Sequence, residues 1–388
     1  MTRAALLAVA LVAASASASP QASAQEDPHM ATALRVLSRT PLIDGHNDLP
    51  WAIRRSAAAP RDVRAPANDL RAHTPFQTDI PRLRQGRVGA QFWSVYIPFE
   101  ATEEGAAKVQ LEQIDIAEQM IAAYPDVFEK ALSASDVDRI FGAGRIASIL
   151  GMEGGHALEN SLGALRAYYG MGVRYLTLTH NGTLDWADAA NDEARHGGLT
   201  EFGKEVVREM NRLGMLVDLS HTSPDAMHDA LDVSAAPVIW SHADARALND
   251  NPRNVPDDVL RRVPANGGVV MVTFVPGFLT SRPQATIADV ADHIEHVVKV
   301  AGIDHVGIGS DFDGISSTPA GLEDVSTYPK VFAELSRRGW SEDDLAKLAG
   351  ENVLRAWRQA EEVARRLQRE RTPSMATLEE LDGKQAGG

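Results

Sequence analysis

The 388-residue chain contains no cysteine. Disulfides, thiolate ligands and a lipid-anchoring cysteine are therefore excluded, and any metal must be held by histidine and carboxylate. Positive charge is also scarce: 38 Lys and Arg stand against 53 Asp and Glu, a formal charge of −15. That balance argues against a nucleic-acid or anionic-membrane partner, which would need a basic face. No glycine-rich phosphate loop follows any predicted strand, which counts against a nucleotide site on an open, doubly wound sheet. The apolar run near the N-terminus, "AALLAVALVAA", is shorter than the roughly 20 residues that span a bilayer.

That run follows Met1-Thr2-Arg3 and precedes small residues, with Ala-x-Ala sites ending at Ala18 and Ala24. The pattern is that of a secretory signal peptide over residues 1–24, cleaved after Ala24. The C-terminal "EELDGKQAGG" is polar, so the expected mature protein has no membrane anchor and resides in a periplasm or outside the cell. The expected hydrolase domain runs over 25–372, with a flexible tail over 373–388.

What is present is a regular series of short apolar runs bounded by turn residues: 41–48, 89–97, 146–155, 173–181, 214–222, 237–245, 267–275 and 305–314. Amphipathic helices alternate with them. Phe202, Val206, Met210 and Leu213 share one face of 200–214, and Ile287, Val290, Ile294 and Val297 one face of 286–302. Ser223 and Pro224 mark the start of a third. Eight apolar strands alternating with helices predict an α/β fold, a (β/α)8 barrel of the TIM type with a C-terminal helical extension. An Arg-, Ala- and Pro-rich loop insertion is expected over 53–85, and the charged helix of 341–370 is expected to pack outside the barrel.

Barrel chemistry sits at the C-terminal strand ends, and the polar residues collect there. The first run ends in His46 and Asp48, the third in Glu153, the fourth in His180, the fifth in His221 and the sixth in His242. The eighth ends in Asp311 and Asp313. One histidine after a strand is ordinarily a hydrogen-bonded loop residue; four histidines and four acids at one end of successive strands are not explained that way. His46 and Asp48, two apart, point to the same side and can share an ion such as Zn²⁺ or Mn²⁺. His221 and His242 can hold a second, and Glu153 can bridge the two. Of the remaining histidines, His156 and His196 fall near the predicted site, whereas His29, His73, His228, His293, His296 and His305 read as structural. Arg253, in "DNPRNVPDD", is either a surface ion pair or a fork for a carboxylate.

With those residues in place, the chain resembles the membrane (renal) dipeptidase family of dinuclear zinc hydrolases. The matching segments are "LIDGHNDLPW", "GMEGGHALEN", "RYLTLTHN", "VDLSHTSPDAM", "SHADARALNDNPRNVPDDVL", "GGVVMV" and "GIGSDFDG", spanning about 40 to 330. The resemblance implies two zinc ions per chain, with manganese or cobalt as substitutes: His46 and Asp48 on one, His221 and His242 on the other, Glu153 bridging. It implies that His180 contacts substrate and stabilises an oxyanion, that Arg253 holds the substrate carboxylate, and that Asp311, rather than Asp313, carries the proton. The implied substrates are dipeptides, including those with a C-terminal D-residue, and the implied assembly is a homodimer. The same metals would serve a hydrolase of β-lactams or N-acyl amino acids, and a non-catalytic metal-holding barrel is a third reading. "TFVPGFL", after the seventh run, lacks a tyrosine expected among the substrate contacts.

Overall fold

The computed structural model describes residues 27–103 and 105–383; the expected signal peptide, 1–24, lies outside them. Nine strands form one sheet in which every pairing is parallel. They are β1 (Leu42–Asn47), β2 (Val88–Ser94), β3 (Phe128–Lys130), β4 (Ile146–Glu153), β5 (Val173–Thr177), β6 (Leu216–Asp218), β7 (Val238–Trp240), β8 (Val269–Val272) and β9 (Val306–Ile308). Pairing of β2 with β4 and of β1 with β9 closes the eight predicted strands into a barrel in chain order. The unforeseen strand is β3. It borders the first half of β4, on the edge whose second half pairs with β5. Three residues, "FEK", are too few to carry a strand periodicity.

The predicted helices form where their caps place them. Thr200 accepts from the Gly203 N–H at the start of helix Glu201–Leu213, and Gly214 ends it with φ +85°. Thr286 and Asp289 form a reciprocal capping box on helix Ile287–Ala301, and Ser223 caps Pro224–Val233.

Two expectations change at the C-terminus. Helix Asn352–Glu370 does not simply lie outside the barrel. Val353, Leu354 and Trp357 join the interior cluster of Phe92, Ile149, Tyr175, Leu216, Ile239 and Met271. Arg355 donates to the carbonyls of Gly267 and Asp304, which precede β8 and β9, so this helix seals the N-terminal end of the barrel. An amphipathic helix at a chain end can cover a barrel's side or its floor, and hydrophobic periodicity is the same for both. In place of the flexible segment expected from 373, the described residues 373–383 run along helix Glu201–Leu213. Ser374 accepts from Arg166, and the Asp382 carboxylate accepts from the Phe202 N–H, beside a short helix Leu378–Asp382 whose Leu378 is buried.

The expected 53–85 insertion follows helix Leu49–Arg54 and ends in helix Ile80–Gln85, with a single short helical turn, Pro66–Asn68, in the chain between. It is pinned to the loop after β9: the Gln77 N–H donates to Asp313 Oδ1 at 2.6 Å, and the Asp313 N–H donates to Gln77 Oε1 at 2.6 Å.

Candidate active site

The strands are shorter than the apolar runs. His180, His221 and Asp311 each lie three residues beyond a strand end, and His242 two beyond; only His46 and Glu153 lie within strands. The chain leaves the sheet before these residues because it must turn. His221 and Asp311 take left-handed backbone angles, φ +68° in each, as does Asp313 at +66°. For residues with a Cβ that conformation costs on the order of 1–3 kcal/mol, and backbone bonds hold it. The Ala190 N–H donates to the His221 carbonyl at 2.7 Å and the Asp311 N–H to the His46 carbonyl at 3.1 Å.

Glu153 is the centre of the arrangement. Its Oε1 lies 2.9 Å from His221 Nε2 and 3.4 Å from His242 Nε2, while Oε2 lies 3.6 Å from His46 Nε2. One carboxylate thus faces two separate groups of ligand atoms. His46 Nε2 is 3.2 Å from Asp48 Oδ2 and 4.0 Å from Asp311 Oδ1. β1 stops at Asn47, so Asp48 occupies the N-cap of helix Leu49–Arg54, yet its carboxylate still reaches the side on which His46 points. His180 Nε2 is 4.0 Å from Glu153 Oε1. His46, Asp48 and Asp311 form one potential ligand set, His46, Glu153 and His242 a second, and Glu153, His180 and His221 a third.

The donor chemistry fits divalent cations. The His221 and His242 Nε2 atoms approach to 3.0 Å, and the buried His46 Nε2 and Asp48 Oδ1 close no hydrogen bond. Buried polar atoms are ordinarily partnered, so the unpartnered His46 Nε2 and Asp48 Oδ1, converging with the neighbouring histidine and carboxylate atoms, mark a place for a Lewis acid. Charge agrees. Burial alone would lower the His46 pKa, but Asp48, Glu153 and Asp311 push it up to about 10. Burial raises Glu153 and Asp311 above the usual carboxylate range, with Asp48 adding to both. Burial, then the Arg253 charge, holds His180 down at about 3, so its imidazole is neutral at physiological pH.

Behind the ligands stand residues that sequence reasoning missed. The Tyr175 hydroxyl lies 2.9 Å from His46 Nδ1. The Ser241 hydroxyl lies 2.8 Å from His242 Nδ1 and donates to Asp218 Oδ2 at 2.6 Å; Asp218 also accepts from Thr177 and from two backbone N–H groups. Such partners fix which ring nitrogen faces a metal. The available signal was a polar residue inside each apolar run, Tyr175 in "VRYLT" and Asp218 in "MLVDL".

The ligands open into a cavity of about 540 Å³ whose wall includes Trp51, Arg55, Tyr96 and Asn181. Arg253 is not part of that lining. Its guanidinium is fully buried, 5.3 Å from the Phe278 ring, with no hydrogen-bond partner on any of its three nitrogens. It is no surface ion pair. His156 is buried behind Gly154, against the same backbone that carries Glu153, but does not converge with the ligands. His196 bonds the Leu184 carbonyl, and His228, His293, His296 and His305 each have structural partners.

A family model, membrane dipeptidase (peptidase family M19), matches residues 30–371. A Schizosaccharomyces pombe protein, named an uncharacterized dipeptidase, is 48% identical over 343 residues, covering 84% of this chain and 83% of its own. The probable dipeptidase PvdM of Pseudomonas aeruginosa superposes with a TM-score of 0.80 at 26% identity, covering 88% of this chain and 100% of its own. A Rhodobacter sphaeroides metallopeptidase, solved with a phosphinate mimic of the dipeptide L-Ala-D-Ala, gives 0.74 at 27% identity, with 83% and 99% covered.

Proposed function

The chain belongs to the membrane dipeptidase family of metallopeptidases, and on that premise we propose that it is an exported dipeptidase working with two zinc ions. The observation that carries the two-ion reading is the Glu153 carboxylate, one oxygen toward His221 and His242 and the other toward His46. His46 and Asp48 would hold one ion and His221 and His242 the other, with Glu153 available to both. Bound there, the cations supply an acidified water and polarise the scissile carbonyl.

The remaining work falls to side chains of this chain. Asp311, raised by burial toward neutrality, takes the proton of the attacking water and returns it to the leaving amine. His180, kept neutral, donates a hydrogen bond to the carbonyl oxygen as that oxygen gains charge. Arg253 supplies positive charge for the substrate's C-terminal carboxylate. A buried guanidinium with no partner is costly, and a carboxylate matched to its fork would remove that cost. Asp313 has a different part: it fixes the Gln77 loop to the rim. The substrate range includes a C-terminal D-residue, in keeping with the mimic bound by the R. sphaeroides relative.

The test is a matched assay on purified protein. Hydrolysis of L-Ala-L-Ala, L-Ala-D-Ala and a tripeptide is followed before chelation, after it, and after zinc is restored, with metal counted per chain. The expected result is zinc-dependent cleavage of both dipeptides but not the tripeptide, at two ions per chain. Metal binding without dipeptide cleavage would move the substrate to another amide. Export is tested by fractionation and N-terminal sequencing, with a mature start at Gln25 expected.

A further inference from the structure

Helix Leu49–Arg54 starts at the Asp48 cap and runs away from the metal-binding groups along one wall of the cavity. Asp48, Trp51, Ala52 and Arg55 all line that wall. Their spacing of three, four and seven residues is that of a single helix face. The preceding arginine is turned away and spent: Arg54 is buried and donates to Glu112 at 2.8 Å. Arg55 is exposed, and among the described residues its side chain closes no hydrogen bond or ion pair. Glu100, which like Arg55 acts on Tyr96, forms no ion pair with it.

Arg55 is also the one Lys or Arg in the lining, where Asp48, Glu153, Asp311 and Asp313 supply carboxylates. Those four are committed, either among the converging ligand groups or to the Gln77 loop. The rings of Trp51 and Tyr96, 5.1 Å apart, line the same cavity as Arg55. At 1.5 Å of rise per residue, Arg55 lies roughly 10 Å along the helix from Asp48. A dipeptide held at the metal-binding groups, about 7 Å long when extended, reaches that distance with a side chain.

We infer that Arg55 is a specificity-determining residue, selecting dipeptides that carry a side-chain carboxylate. The inference rests on the dipeptidase reading of the site. The carboxylate is recognised as an ion pair at the cavity wall, so it acts on substrate capture and weakens with salt.

The experiment compares L-Glu-L-Ala with L-Gln-L-Ala, and L-Ala-L-Glu with L-Ala-L-Gln, on the full zinc-loaded protein. These pairs have the same shape and differ in charge, so each ratio of kcat/KM cancels general losses of activity. In the unsubstituted protein the acid is expected to exceed the amide about fivefold in at least one pair at low salt, the upper end for an exposed ion pair. Raising the salt should reduce that ratio. Arg55→Gln should bring it to about one, Arg55→Lys should keep most of it, and Arg55→Glu should invert it. A ratio of one in the unsubstituted protein, or a ratio unchanged in Arg55→Gln and Arg55→Glu, overturns the inference while leaving the dipeptidase reading intact. Failure to cleave any of the four dipeptides, or L-Ala-L-Ala, overturns that reading and this inference with it.

Discussion

The hydroxyl of Tyr175 lies 2.9 Å from Nδ1 of His46, and both side chains are fully buried. Tyr175 in turn packs on Phe92, ring centroids 5.2 Å apart, and Phe92 on Trp357 at 6.0 Å. A column of aromatic side chains thus runs from the helix that seals the barrel floor up to His46, a candidate metal ligand. The candidate site is connected by packing to the other end of the barrel.

Tyr175→Phe keeps the ring and its packing but removes the partner of His46 Nδ1. Losing the group that orients a ligand histidine typically lowers metal affinity about 10- to 100-fold. The expected outcome is a weaker zinc dissociation constant by that factor, measured by competition with a chromophoric chelator, with thermal stability of the metal-free protein changed little. Unaltered zinc affinity would show that the hydroxyl plays no part in aiming His46.

Glu153→Gln replaces one of the two anionic oxygens with an amide nitrogen that cannot ligate. Because each oxygen faces a different group of histidines, both of the proposed metal positions should weaken. Metal content, counted by mass spectrometry of the elements after gel filtration, should fall below two per chain, and dipeptide hydrolysis should fall with it. Retention of two ions and full activity would rule out a bridging role.

Asp311 and Asp313 are separated by their partners rather than by their motif. Asp311 Oδ1 lies 4.0 Å from His46 Nε2, whereas Asp313 is bound to the backbone N–H of Gln77. Asp311→Asn should cut kcat by about 10²–10⁴-fold, the usual worth of a positioned acid–base group. Asp313→Asn should act through the loop, raising KM more than it lowers kcat. The reverse pattern would exchange the two roles.

Most of the site was legible because its residues stand at corresponding places in a repeating unit. His46, Glu153, His180, His221, His242 and Asp311 each follow or end an apolar run, and a barrel brings such ends to one rim. What was not legible depends on three-dimensional neighbours. Tyr175 and Asp218 looked like interior strand residues; the part of Tyr175 emerges only when the closed barrel brings β5 to β1, and that of Asp218 when β5, β6 and β7 lie side by side. Arg253 stayed ambiguous because burial, not residue type, separates a surface ion pair from an unpartnered guanidinium. The sealing helix was foreseen as a helix but misplaced, since periodicity reports that a face is covered and not what covers it. β3 was missed because three residues carry no period.

His156 gives a prediction that does not depend on metal. Burial is the main force lowering its pKa, from 6.5 to about 4, against the opposing pull of the Ile97 and Pro98 carbonyls and of Glu100. Its ring also lies close to the neutral His180. The folded state therefore keeps the imidazole uncharged in a pH range where the unfolded chain protonates it. The unfolded state binds the extra proton between about pH 6.5 and pH 4, so stability is full above that window and falls as pH drops through it. A difference of that size corresponds to about 3 kcal/mol at 1.36 kcal/mol per pH unit. His156→Asn carries no proton to bind and should lose less stability over the same window. Urea unfolding of both proteins in chelator, at several pH values from 4 to 7, measures this directly. The difference in unfolding free energy between them should change in favour of the variant as pH falls. Parallel curves would mean that the His156 ring is protonated equally well in the folded and unfolded chains, and that its burial behind Gly154 does not exclude charge.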